Sequence, residues 1–172
     1  MLTRRTALAS GALAALVTPL PALAQGRKDS VTLALVLEPP GLDPTAGAAS
    51  SIAEVTLYNI YETLTKIRPD GSVAPLLAES WEVSPDLKTY TFRLRRGVAF
   101  HNGAPCNAAA VKFSFERAGG DKSTNKDKRT FANLRVQVVD DHTVVLINQD
   151  IEPDLLFLLG QATAIIVEPK SA

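Results

Sequence analysis

His101 and Cys106 stand five residues apart in RRGVAFHNGAPCNAAAVKFSFER, residues 95–117, with Gly103 and Pro105 between them. A thiol and an imidazole at that spacing can work as a nucleophile and its base. They could also be two of the three or four ligands that zinc requires. The only other histidine, His142, belongs to the polar turn Asp140-Asp141-His142, so a metal site is not expected. Cys106 is the single cysteine and lies just before a helix start, where any small apolar side chain would serve. Free cysteine commonly packs as a small hydrophobe. The expected role of both residues is structural, with an exported thiol–imidazole enzyme as the alternative.

The carboxylate pairs are equally undemanding. Asp140 and Asp141 sit in a turn, where such side chains help form the bend. Glu152 and Asp154 precede an apolar run, where negative charge favours a helix start. No G-x-S-x-G elbow, Walker A loop, G-x-G-x-x-G fingerprint or EF-hand spacing occurs. No catalytic residue, metal or cofactor is therefore assigned, and the chain reads as a non-enzyme.

Certain elements must hold these residues. TYTFRLR alternates, placing Tyr90, Phe92 and Leu94 on one face, and reads as a half-buried antiparallel strand. Its expected hairpin partner carries Trp81, which should pack against Tyr90 and Phe92. A helix is expected from about Ala108 to Ala118, with Asn107 as its N-cap. LRVQVVDDHTVVLIN reads as a second hairpin. Ser51 and Glu54 fit a capping box opening a helix that runs as far as Leu64. The run VTLALVLEP, before Pro40, is apolar enough for a strand buried on both faces, and ATAIIVEP reads as another interior strand. A short Pro-capped helix is expected after Glu152-Pro153-Asp154, and GGDKSTNKDKR as an exposed, mobile loop. The predicted fold class is α+β: a mixed sheet with antiparallel hairpins and interspersed helices.

The start of the chain suggests export. Arg4 and Arg5, an apolar run and Ala22-Leu23-Ala24 follow the order of a secretory leader, expected to be of twin-arginine type with cleavage after Ala24. No cysteine stands at that point, so a lipid anchor is not expected. Basic and acidic residues both number 18, and aromatics make up 6%. That balance argues against nucleic acid as a partner. Removing Arg4 and Arg5 leaves a slight acidic excess. One cysteine allows no internal disulfide, so the core alone must hold the fold.

Four collinear stretches carry a resemblance: EPPGLDPT, the long run from YETLTKIRPDGSVAPLLAESWEVS through FSFER, the loop after it, and VQVVDDHTVVLIN. Together they resemble the N-terminal part of the family 5 extracytoplasmic solute-binding proteins, the peptide- and nickel-type receptors of ATP-binding-cassette importers. Cys106-Asn107 departs from the larger apolar residue followed by Thr or Ser that is more common there. The resemblance implies a two-lobed periplasmic binding protein of class II type, of which residues 25–172 would be an incomplete first lobe. It implies a soluble, monomeric periplasmic receptor that captures peptides or peptide-like solutes for an inner-membrane permease. A truncated remnant without ligand binding is the alternative. Ligand contacts are expected in the loop leaving the first strand, at Glu38, Pro39, Pro40, Gly41 and Asp43, with Glu38 suited to a ligand amino group.

Overall fold

The alternating runs of residues 78–94 and 134–148 build the centre of the molecule, a computed structural model that describes residues 31–47 and 49–172. The chain divides into residues 1–34 and residues 35–172, and all the described elements lie in the second part. The expected leader, residues 1–24, lies outside the described residues.

Strands β3 (Ala78–Val83) and β4 (Thr89–Leu94) form one hairpin, and β5 (Leu134–Asp140) and β6 (Thr143–Asn148) form another. β6 pairs with β4, giving a four-stranded antiparallel sheet of order β3-β4-β6-β5. Each strand then presents its alternate residues to one core. Tyr90, Phe92 and Leu94 are buried from β4, and Val144 and Leu146 from β6. Trp81 lies opposite Phe92, with ring centroids 6.2 Å apart. It stays half-buried because β3 is an edge strand. A smaller hairpin pairs β1 (Thr65–Ile67) with β2 (Val73–Pro75) across the RPDGS turn, where Gly71 takes φ +82°.

Helix α2 (Ala108–Gly119) lies against β5 and β6 through Ala108, Val111, Phe115 and Ala118, all buried. Asn107 caps it: its side-chain oxygen accepts from the Ala110 N–H at 3.1 Å. The Ala108 N–H donates to the Asp141 carbonyl at 2.9 Å, so the β5–β6 turn fixes where α2 begins. Just before it, Phe100, Gly103 and Ala104 close a tight turn, with Gly103 at φ +84°. Phe115 stacks at 5.3 Å on Phe131 of the short helix α3 (Lys128–Ala132). Helix α4 (Leu155–Leu158) follows Glu152-Pro153-Asp154, and a 3₁₀ turn spans Ala162–Ala164. Both described sheets are antiparallel, so the α+β class with antiparallel hairpins and interspersed helices holds.

Four local expectations fail. Residues 31–37 form no strand, and Val31, Leu33, Val36 and Leu37 are all more than half exposed. Apolar, β-branched composition favours a strand but supplies no hydrogen-bonding edge for it to join. Helix α1 is shorter than expected, Ser50–Thr56, and its N-cap is Ala49 without any side-chain bond. Ser51 is buried within the helix and Glu54 is exposed, so there is no capping box. The helix stops because Leu57 turns extended and Tyr58 takes φ +62°. That turn lets the Tyr58 hydroxyl donate to the Gly160 carbonyl at 2.6 Å and accept from the Ile67 N–H at 2.9 Å. ATAIIVEP is a 3₁₀ turn followed by extended chain rather than a ladder strand, although Ile165 and Ile166 are buried. Its backbone is satisfied piecemeal, with Ile166 N–H donating to Glu62 and Val167 N–H to the Ser114 hydroxyl. Finally, the loop after α2 is only partly exposed: Asn125 is buried and residues 128–132 are helical.

Candidate functional site

Two open concavities flank the C-terminal end of α2, and Arg117 lines both. The larger, about 670 Å³, lies between residues 58–62, the 98–102 turn and the extended segment 165–168. That volume falls within the range usual for small-molecule sites. Its walls mix apolar side chains, such as Phe100 and Ile165, with Tyr58, Tyr61, Glu62 and Glu168. The smaller, about 420 Å³, is bounded by Thr45, Ala46, Arg117 and residues 120–124.

Between them stands a small polar cluster. The Asp43 carboxylate accepts from the Thr45 N–H at 2.8 Å and from the Thr45 hydroxyl at 2.6 Å. Arg117 donates to the Thr45 hydroxyl oxygen at 3.0 Å, and its other terminal nitrogen lies 3.5 Å from Asp43. Burial opposes ionisation of Asp43, but the Thr45 hydrogen bonds and the Arg117 charge outweigh it, so the carboxyl sits below its ordinary value. The sequence places each partner sensibly. Asp43-Pro44-Thr45 is a short turn in which an Asp caps the backbone two residues on. Arg117 projects from the last turn of α2, where positive charge suits the helix dipole.

Of the five loop residues expected to meet a ligand, Asp43 lines the larger concavity. Glu38, Pro40 and Gly41 are exposed and Pro39 half-buried, and none of these four lines either concavity. The residues that sequence reasoning passed over are Thr45 and Arg117. The D-x-T pattern announces Thr45 as a turn partner, but nothing local announces that Arg117, 74 residues from Asp43, returns to it.

His101 and Cys106 both border the larger concavity, His101 exposed and Cys106 buried. Burial, reinforced by the negative charge of Glu62, pushes the Cys106 thiol up to about 11. An activated nucleophile needs the opposite shift. His142 lies in the β5–β6 turn, where its N–H donates to Asp140 at 2.7 Å. Among the described residues no group of three or more His, Cys, Asp or Glu could hold a metal ion. No described helix is long and apolar enough to cross a membrane.

Residues 72–172 match the model of bacterial extracellular solute-binding proteins, family 5 (middle region). The glutathione-binding protein GsiB of Salmonella choleraesuis (strain SC-B67) is 36% identical over 92% of this chain and 31% of its own. The nickel-binding periplasmic protein of Escherichia coli (strain K12) is 46% identical over 47% of this chain and 15% of its own. Among solved structures, the periplasmic binding protein AgaA from A. tumefacien R10, in complex with agropinic acid, superposes with a TM-score of 0.73. It is 32% identical over 78% of this chain and 27% of its own. The chain thus spans about a third of the length of the glutathione-binding relative.

Proposed function

The chain belongs to the family 5 bacterial extracellular solute-binding proteins, and from that premise we propose that it captures peptides or peptide-like solutes in the periplasm for an inner-membrane permease. The family's members are transport receptors rather than enzymes, and its relatives here are named for glutathione, D,D-dipeptides and nickel. In this reading a leader at residues 1–24 exports a soluble, monomeric receptor. Of the loop residues Glu38, Pro39, Pro40, Gly41 and Asp43, it is Asp43 that stands at the concavity where the solute would be held.

The observation that carries the reading is the pairing of charges around the larger concavity. Arg117 offers a guanidinium suited to a carboxylate. Glu62 and Glu168 offer acceptors for an ammonium, and Phe100 and Ile165 an apolar wall, while Asp43 holds Arg117 in place. A zwitterion of short chain length uses all three, whereas a neutral sugar or a bare cation leaves charged walls unmatched.

Isothermal titration of the purified protein with reduced glutathione, with di- to pentapeptides and with a nickel chelate tests this. Heat with glutathione or a peptide is the expected result, weakened by Arg117→Met. Heat with the chelate alone would overturn the ligand class. No heat with any of them would favour a remnant without binding function.

A further inference from the structure

The segment Gly119–Arg129 is polar almost throughout, yet Asn125 is only 5% exposed and Thr163, opposite it, 3%. A neutral amide is not drawn into a protein interior by its own chemistry, because burial costs it its water partners. Its position must therefore be fixed by the bonds it makes. The Asn125 side-chain N–H donates to the Thr163 carbonyl at 2.9 Å. The Thr163 hydroxyl donates to the Asp127 carboxylate at 2.6 Å. The Asp127 N–H donates back to the Asn125 side-chain oxygen at 2.9 Å. The three bonds close a ring between two stretches of chain that are otherwise distant in sequence. The Asn125 N–H adds a bond to the Ser123 hydroxyl at 3.1 Å, carrying the constraint toward residues 120–124.

Residues 120–124 form one wall of the smaller concavity, against Thr45 and Arg117. Ile165 and Ile166, two and three residues after Thr163, line the larger one. We infer that Asn125, Thr163 and Asp127 are positioning residues: a hydrogen-bonded latch that fixes the 120–124 loop relative to residues 162–166 and so sets the spacing of the two walls around Arg117. The inference rests on the reading of these concavities as a solute site, but the latch itself makes a prediction that needs no solute. Without it, a segment this polar and rich in lysine would be held by little apolar contact and would open locally.

The test compares Asn125→Ala and Thr163→Val with the parent protein by hydrogen exchange and limited trypsin digestion. Thr163→Val keeps the shape and the carbonyl and removes only the hydroxyl donor. Thr163→Val is expected to speed exchange of the 121–127 amides by roughly five- to tenfold, the effect of losing one hydrogen bond, and Asn125→Ala, which removes two, by at least as much. Trypsin should cut earlier at Lys122 and Lys126, while exchange in β4 and β6 stays at the parent rate. Unchanged exchange and cleavage in both variants would overturn the latch. Equal acceleration in β4 and β6 would also overturn it, since the residues would then support the scaffold at large. In the titration with glutathione, a parent protein that binds should lose affinity in Asn125→Ala. Retained affinity with a freed loop would overturn the positioning role. A parent that gives no heat counts against the proposed function alone, and the latch is then decided by exchange and cleavage.

Discussion

At Tyr58 an unusual backbone conformation and a doubly hydrogen-bonded side chain hold one another in place. A non-glycine residue at φ +62° is held in a sparsely occupied region. What holds it is the phenol, which accepts from the Ile67 N–H and donates to the Gly160 carbonyl, and over whose ring the Lys66 ammonium sits at 4.9 Å. Tyr58→Phe keeps the ring and leaves both backbone groups unmatched, so it should cost about 1–3 kcal/mol of stability. Thermal unfolding followed by circular dichroism measures it, and an unchanged midpoint would show that water replaces the hydroxyl at no loss. Cys106 calls for a different measurement. With its thiol pushed up to about 11, the reactive thiolate is scarce at neutral pH. Alkylation by iodoacetamide under native conditions should be slow and should keep rising with pH toward that value. A rate that levels off near neutrality would revive the thiol–imidazole pair with His101.

Among the elements, α2 does the most to place the site, since it begins at a cap and carries Arg117 in its last turn. Asn107→Ala removes the acceptor for the Ala110 N–H and should cost about 1 kcal/mol, with Asn107→Asp or Asn107→Ser restoring most of it. At the other end, a Cβ at Gly119 would come within 2.6 Å of the Ala132 nitrogen and 2.7 Å of the Phe131 carbonyl carbon. Both are backbone atoms of the last residues of α3, which cannot swing aside. Gly119→Ala should therefore push the α2–α3 contact apart and cost about 1–3 kcal/mol, read from urea denaturation. The first of these was legible in the sequence and the second was not. A cap is written in three or four consecutive residues, as are the alternation of β4 and the turn chemistry of Asp70-Gly71-Ser72. Close approach of α2 to α3 depends on the packing of Phe115 on Phe131, which no local pattern contains. The same division explains the misreadings. Residues 31–37 and 162–168 have strand composition, but a ladder needs a partner edge as well, and composition does not provide one. Asn125 looked solvated because its neighbours are, while its partner Thr163 lies 38 residues on.

At the scale of the molecule, one small device recurs at four bends among the described residues: an aspartate that accepts hydrogen bonds from the residue two positions on. Asp43 does so with Thr45, Asp70 with Ser72, Asp86 with Lys88 and Asp140 with His142. All four carboxyls are held below the ordinary value of 3.8. For Asp43 burial pulls the other way and is outweighed by Thr45 and Arg117; for the other three the leading cause is a hydrogen bond, from Ser72, from Ser84 and from the His142 N–H in turn. A carboxyl whose folded value is depressed adds stability that is fully present above its unfolded value and is lost as pH falls through the folded one. The molecule should thus hold its stability from neutral pH down to about pH 4 as far as these groups are concerned, then lose it as pH falls through the depressed folded values. Solvent screening keeps the contributions of the exposed Asp70, Asp86 and Asp140 small. Asp43 is the one of the four that also touches the site, and there the effect can be isolated. Asp43→Asn should be less stable than the parent at about pH 7 and should show a shallower acid decline, the two curves converging in acid once the Asp43 carboxyl is protonated in the folded protein as well. Arg117→Met should move the folded Asp43 value toward the ordinary carboxyl range, so that the acid decline it contributes is smaller and ends at higher pH than in the parent. Urea denaturation across the pH range reads both. Parallel curves for parent and Asp43→Asn would mean that the Thr45–Arg117 cluster does not favour the charged carboxylate. The charge pairing proposed for the solute site would then lose its anchor.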